Sequence, residues 1–268
     1  MTTSSDMRSL LSTIPTARAN SYKDCARTHA DPSALYLWGI DLSGALQELL
    51  GMVEVAVRNT IDEQLRSFAV SQSVASGEWI REVSQLPYLS DITFRNGGKI
   101  VKYSQLNNGV RKQVSGRLAG HPRLAHHTNH DDLLSQIMFG TWGAMLPDKG
   151  DTRPQHVTQA VDELWKAALK DAFPNKIPTP RRLSKGQKIG EHVRVCATLR
   201  NRVNHFDSLL NIDVPELVEC TVSPLLQAIS GTVHSAVLAH SRVPHVWSRR
   251  PVPLTGQTLD LMKISKFC

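Results

Sequence analysis

Cysteine is scarce, with four in 268 residues. Cys25, Cys196, Cys220 and Cys268 are far apart and form no CxxC pair, which argues against structural zinc and against a disulfide-stapled secreted scaffold. No apolar run approaches the ~18 residues of a membrane span. The opening MTTSSDMRSLLSTIPTAR lacks the apolar stretch of a signal peptide, so the expected location is cytoplasmic, with no membrane partner. Alternating β-branched runs are missing, and so are internal repeats; the pattern therefore calls for no sheet. No G-x-G-x-x-G, Walker-type loop or G-x-S-x-G elbow occurs, which leaves nucleotide-dependent and serine-hydrolase chemistry without support.

What the chain has is an ordinary globular composition and a basic balance. Apolar residues make up 41%, and 31 Lys+Arg against 24 Asp+Glu give a formal charge of +7 with eleven histidines besides. A charge of that size, spread over this length, favours a polyanionic partner only modestly.

Leu42, Leu46, Leu49, Val53, Val57, Ile61 and Leu65 recur at spacings of three and four after Asp31-Pro32, which predicts one long amphipathic helix capped by Asp31 or Asp41. Residues 70 to 98 carry turn signals in SQSVASGEW and FRNGGK and read as a loop region with room for one short element. Weak helical periodicity runs from Lys99 to Leu118 and ends before His121-Pro122. Further helices are expected over Asp131 to Leu146, about Gln155 to Phe173, and Gly190 to Leu210, with a last helical pair between Pro215 and His240. PNKIPTPRRLSKGQK, residues 174 to 188, is a basic connector. The expected fold is all-α, a bundle of roughly six or seven helices. Its expected divisions are a loosely ordered segment 1–20, a helical domain 21–250 and a C-terminal tail 251–268, the Pro- and Arg-rich RVPHVWSRRPVP running out into that tail.

On the helix containing CATLRNRVNHF, with Arg200 set at zero, Val193, Cys196, Leu199, Val203, Phe206 and Leu210 share an arc from about 240° to 20°. That is a buried stripe, and Cys196 within it is expected to be inert. Asn201 and His205 fall at about 100° and 140°, away from the stripe, and Arg200 and Asn204 lie on its edge. An arginine fork, an amide able to orient an imidazole, and the imidazole itself form a phosphate-handling cluster. The bland reading is open at this point: solvated charges at Arg200 and Arg202, and a histidine at a helix C-terminus, where the dipole favours it. R-x4-H spacing often arises by accident.

LRNRVNH, residues 199 to 205, resembles the R-x4-6-H signature of the HEPN superfamily. ALYLWGIDLSGALQELLGMVEVAVRNTID at 34 to 62, FGTWGAML at 139 to 146 and SRVPHVW at 241 to 247 narrow the resemblance to its Abi-like, abortive-infection family. The resemblance implies an all-α, HEPN-type helical bundle with additional helices that dimerises and cuts RNA without a metal or other cofactor. It implies a toxin role in phage defence, with an antitoxin of protein or RNA as a possible partner. By motif position Arg200 and His205 become the catalytic pair and Asn201 their polar assistant, while Asn204, Glu54, Arg58 and Asn59 support the site. The chain departs from the pattern after the histidine: many relatives read HHE where it has His205-Phe206-Asp207, and Asn204 fills a position that is often small. The alternative is a non-catalytic RNA-binding or protein-interaction module of the same fold.

Arg202 and the connector residues Arg181, Arg182, Lys185 and Lys188 are candidates for tracking an RNA backbone, with a solvated loop as the equal alternative. His126 and His130 have i,i+4 spacing, but with Asp131 and Asp132 beside them they suit a helix start better than a metal, with Asn129 or Asp131 as cap. Glu54 and Arg58 alone would be read as an ordinary i,i+4 pair on an exposed helix face. Trp38, Trp142 and Trp165 are expected as core fillers.

Overall fold

The computed structural model describes residues 10–27, 30–96, 98–118 and 129–254. Among them the chain is mostly helical. Helix α1 spans Thr16–Ala26 and α2 spans Pro32–Ser71. Asp31 caps α2, its carboxylate accepting the Ser33 N–H at 2.9 Å with Pro32 just inside the helix, where its missing N–H costs nothing. The seven predicted apolar positions from Leu42 to Leu65 are all fully buried. At 40 residues, α2 is about 60 Å long and forms the spine of the domain.

Where a loop was expected, the chain makes short 3₁₀ turns and a hairpin. Strand β1 (Thr93–Asn96) pairs antiparallel with β2 (Lys99–Lys102). Asn96 faces Lys99 and Gly98 takes φ +79, a conformation glycine adopts without strain. The predicted helix over 99–118 therefore starts later, as α3 (Leu106–Leu118).

The predicted helix over 131–146 is two: α4 (His130–Leu134) and α5 (Phe139–Ala144). The reason is angular. On one straight helix Leu133, Leu134, Ile137, Phe139, Trp142, Met145 and Leu146, all buried, would spread over about 240°. A break re-aims the second half at the core. Asn129 caps α4 through a reciprocal pair with Asp132, at 2.8 and 3.1 Å, as one of the two cap assignments anticipated.

Helix α6 (Gln155–Ala167) passes into a 3₁₀ turn at Leu169–Ala172, and α7 (Lys185–Asn204) follows. Ser184 caps α7 with Gln187 in a capping box, so the connector ends four residues earlier than its charge pattern suggested. Two glycines one turn apart seat this helix: a Cβ at Gly186 would lie 2.8 Å from the Trp165 ring, and one at Gly190 only 2.3 Å from the Pro147 carbonyl. Arg194 then binds the carbonyls of Gly143, Leu146 and Pro147, the open C-terminal end of α5, and pairs with Asp148 at 3.3 Å.

Helix α8 (Val214–Leu217) continues through a π turn at Val218–Val222 into α9 (Ser223–Ile229). Pro224 has no N–H for the Cys220 carbonyl, and the widened turn ahead of it relieves the clash. Helices α10 (Gly231–His240) and α11 (Val243–Ser248) complete the chain. The RVPHVW stretch, at the end of the expected helical domain, is helical and docked. Trp38 donates its indole N–H to the Val246 carbonyl at 3.0 Å, and the Arg250 guanidinium lies over both Trp38 and Trp247, 4.8 and 5.2 Å from the rings. Of the segment 1–20, residues 10–20 hold a 3₁₀ turn at Leu11–Thr13 and the start of α1, which packs on α2; residues 1–9 lie outside the described residues. Residues 255–268 of the expected tail lie outside the described residues. Among the described residues, no helix is long and apolar enough to cross a membrane.

Candidate functional site

Helix α7 buries Val193, Cys196, Leu199 and Val203 and leaves Asn201 and His205 exposed, as the wheel predicts; Asn204, placed on the edge of the stripe, is exposed too. Burial pushes the Cys196 thiol up to about 12, so it stays protonated and unreactive. The stripe fails at Phe206. The helix stops at Asn204, His205 is its C-cap, and Phe206 takes φ +50. Phe206 N–H reaches the Val203 carbonyl at 3.0 Å and Asp207 N–H the Arg202 carbonyl at 2.9 Å, a Schellman stop with phenylalanine where glycine is usual. The ring that the wheel placed in the core is 49% exposed. Leu210 is buried after all, delivered by the returning chain rather than by the helix.

The turn is tied down from two sides. Arg202 donates to the Ser208 carbonyl at 2.9 Å, which makes it a structural brace rather than a free RNA contact. From α1, Arg18 approaches Asp207 at 3.6 Å, and the Tyr22 hydroxyl bonds Ser208. Nothing in the motif pointed to Arg18 or Tyr22, because their approach is a tertiary contact between segments 189 and 186 residues apart (207 − 18 and 208 − 22).

Arg200 lies on the edge of the stripe, and its Nε meets Glu54 Oε2 of α2 at 2.6 Å. Glu54 is therefore not half of an exposed i,i+4 pair with Arg58. It is buried, with its side chain 11% exposed against 33% for Arg200. Burial raises the Glu54 pKa, and the charges of Arg200 and Arg58 only partly oppose that. Arg58 is half-buried and donates through Nε to the exposed Asn59 at 3.4 Å. The two polar motifs, EVAVRN on α2 and LRNRVNH on α7, thus meet at one point. The expected hydrogen bond from Asn201 to the His205 ring is not formed: among the described residues the imidazole has no hydrogen-bond or ion-pair partner, and Asn201 contributes its backbone carbonyl to the His205 N–H at 3.1 Å.

Compared with family models, curated proteins and solved structures, the chain matches none.

The connector lies apart from this cluster. Arg181 and Arg182 are exposed, but they precede the opposite end of α7, about 30 Å from His205 along a helix of 20 residues. Lys185 donates to the Phe173 carbonyl and Lys188 pairs with Glu191 at 3.0 Å, so neither is a free cation on a loop. Trp38 and Trp142 are buried as expected, while Trp165 is half-buried and stacks on Phe173. His130 sits inside the core, its Nε2 2.7 Å from Asp62; His126 and His127 lie outside the described residues. Among the described residues no group of three His, Cys, Asp or Glu could hold a metal.

Proposed function

We propose that the chain is an endoribonuclease of the Abi-like HEPN type, an abortive-infection toxin that works as a homodimer and cuts RNA without a metal. The observation that carries the reading is the Glu54–Arg200 contact. It joins two motifs 146 residues apart in sequence. In the proposed reaction the ribose 2′-OH attacks the adjacent phosphorus, the bond to the 5′-oxygen breaks, and the products are a 2′,3′-cyclic phosphate and a 5′-hydroxyl. Arg200, oriented by Glu54, stabilises the charge that builds on the phosphate. His205 carries one of the two protons, and the matching histidine of the second copy carries the other. One chain offers a single imidazole here, so the mechanism requires the pair.

The second reading is a binding module in which the same residues grip phosphate without turnover. What favours it is the solitary position of His205 at a helix C-terminus, where no neighbour fixes its tautomer. Wild type and His205→Ala are compared for RNA cleavage in EDTA and for growth arrest on expression. General acid-base catalysis contributes about 10²–10⁴ in rate, so the variant should be nearly silent while RNA binding persists. DNA, lacking the 2′-OH, should remain whole. Equal behaviour of the two proteins, or loss of cleavage on chelation, selects against the nuclease.

A further inference from the structure

Phe206 is expensive where it stands. Its φ of +50 puts an L-residue in the left-handed region, at the helix stop where glycine would be relaxed. Its ring is 49% exposed and makes no aromatic contact among the described residues, so core packing does not repay the strain. The turn that holds it is nevertheless braced by Arg202 to Ser208 and by Arg18 to Asp207. The surface residues flanking it in sequence, Asn201, Asn204 and His205, are polar hydrogen-bonding groups rather than an apolar patch.

A fixed, strained, exposed aromatic ring directly after the candidate histidine is suited to a planar ligand. We infer that Phe206 is a nucleobase platform: the base next to the phosphate handled by Arg200 and His205 stacks on this ring, which sets the nucleotide's position and the preference for single-stranded RNA. The inference rests on the ribonuclease reading and assigns that site a specificity-determining residue. Every base has a π-face, so stacking gives affinity with little sequence preference. A single ring flanked in sequence by two amides and an imidazole fits a base better than it fits the core of a protein interface, where apolar and aromatic groups cluster.

The test uses the full chain and a fluorescent single-stranded oligonucleotide with 2′-O-methyl riboses, which cannot be cleaved by 2′-OH attack. Affinity is measured for wild type, Phe206→Trp, Phe206→Leu and Phe206→Gly, on the intact oligonucleotide and on versions carrying one abasic position. Phe206→Gly should raise the melting temperature by relieving the strain, yet bind about tenfold to a hundredfold more weakly. Phe206→Trp should bind as wild type or better. Loss of one particular base should weaken wild type by a similar factor and leave Phe206→Gly unaffected. Wild-type affinity in Phe206→Gly, or Phe206→Leu binding as well as Phe206→Trp, overturns the platform while the RNA reading survives. A shift of Phe206→Gly from dimer to monomer at unchanged affinity assigns the ring to contacts between copies and overturns it too. Wild type that binds no RNA removes the ribonuclease reading and the platform with it.

Discussion

Glu54 and Arg200 form an asymmetric pair: the carboxylate, carried by α2, is buried while the guanidinium of α7 keeps a third of its surface in solvent. The acid is therefore the strained partner. A carboxyl whose folded pKa is raised contributes stability that is fully present below its unfolded value of about 4.5 and is lost as pH rises through the folded value.

Glu54→Gln keeps the shape and removes that dependence. Relative to wild type it should gain stability between pH 4 and pH 7, read from urea midpoints at both. If the chain is the ribonuclease proposed above, RNA cleavage should fall about tenfold to a hundredfold, because a guanidinium without its anchor drifts from the phosphate.

Asp62 is a buried hub. Its Oδ1 accepts from Trp79 Nε1 and meets His130 Nε2, both at 2.7 Å, and its Oδ2 accepts from Arg66 at 3.0 Å. Burial pushes its pKa up, but the hydrogen bonds from His130 and Trp79, with the charges of His130 and Arg66, outweigh that and hold it below the usual range. Asp62→Ala strands an indole N–H and an imidazole in the core and should cost about 3–5 kcal/mol in chemical denaturation. Asp62→Asn should lose less, and the penalty should shrink as pH falls from about 3.8, the ordinary value at which the unfolded chain takes up its proton, through the lowered folded value.

His192 on α7 is fully buried with neither ring nitrogen partnered. Burial lowers its pKa to about 3, with the charge of Lys188 acting the same way. The unfolded chain binds the extra proton first, so wild-type stability should decline as pH falls from about 6.5 toward 3. His192→Met should raise stability at pH 7 by about 1–3 kcal/mol, since it removes unpaired polar atoms without opening a large void. Melting curves of the two proteins should diverge further at pH 5.

Glycines of this chain separate by what surrounds them. Gly190→Ala forces a methyl into the Pro147 carbonyl and should destabilise by about 3 kcal/mol, despite the better helix propensity of alanine. Gly44→Ala in α2 meets nothing within 4 Å and should stabilise by about 0.5–1 kcal/mol. Thermal melts of the two variants provide the comparison.

The long-range order of this fold was legible wherever a helix buries one stripe. Leu42 to Leu65 and Val193 to Val203 repeat every three or four residues, and both helices lie where that period puts them. The hairpin was missed because its strands are four residues each, too short to establish alternation, although NGG between ITFR and KIVK was a usable turn signal. The break between α4 and α5 was hidden because both halves are apolar, so only the width of the combined arc betrays it. At the candidate site the wheel oriented Asn201 and His205 correctly but carried the helix through Phe206. A Schellman stop without glycine gives no composition cue. Charge counting suggested Lys185 and Lys188 as RNA contacts; their partners, the Phe173 carbonyl and Glu191, were invisible until the connector's end became a capped helix.

The wedge at the far end of α7 has a mechanical consequence for the end that carries His205. Gly190 is clamped against Pro147 about 22 Å upstream of the imidazole, and a helix of this length transmits tilt as a stiff rod. A pivot of only ~5° there would swing the ring by about 2 Å, comparable to misplacements that cost orders of magnitude in rate. Alignment of the His205 end is thus set by a steric fulcrum four helical turns away, made of a missing methyl group and a backbone oxygen.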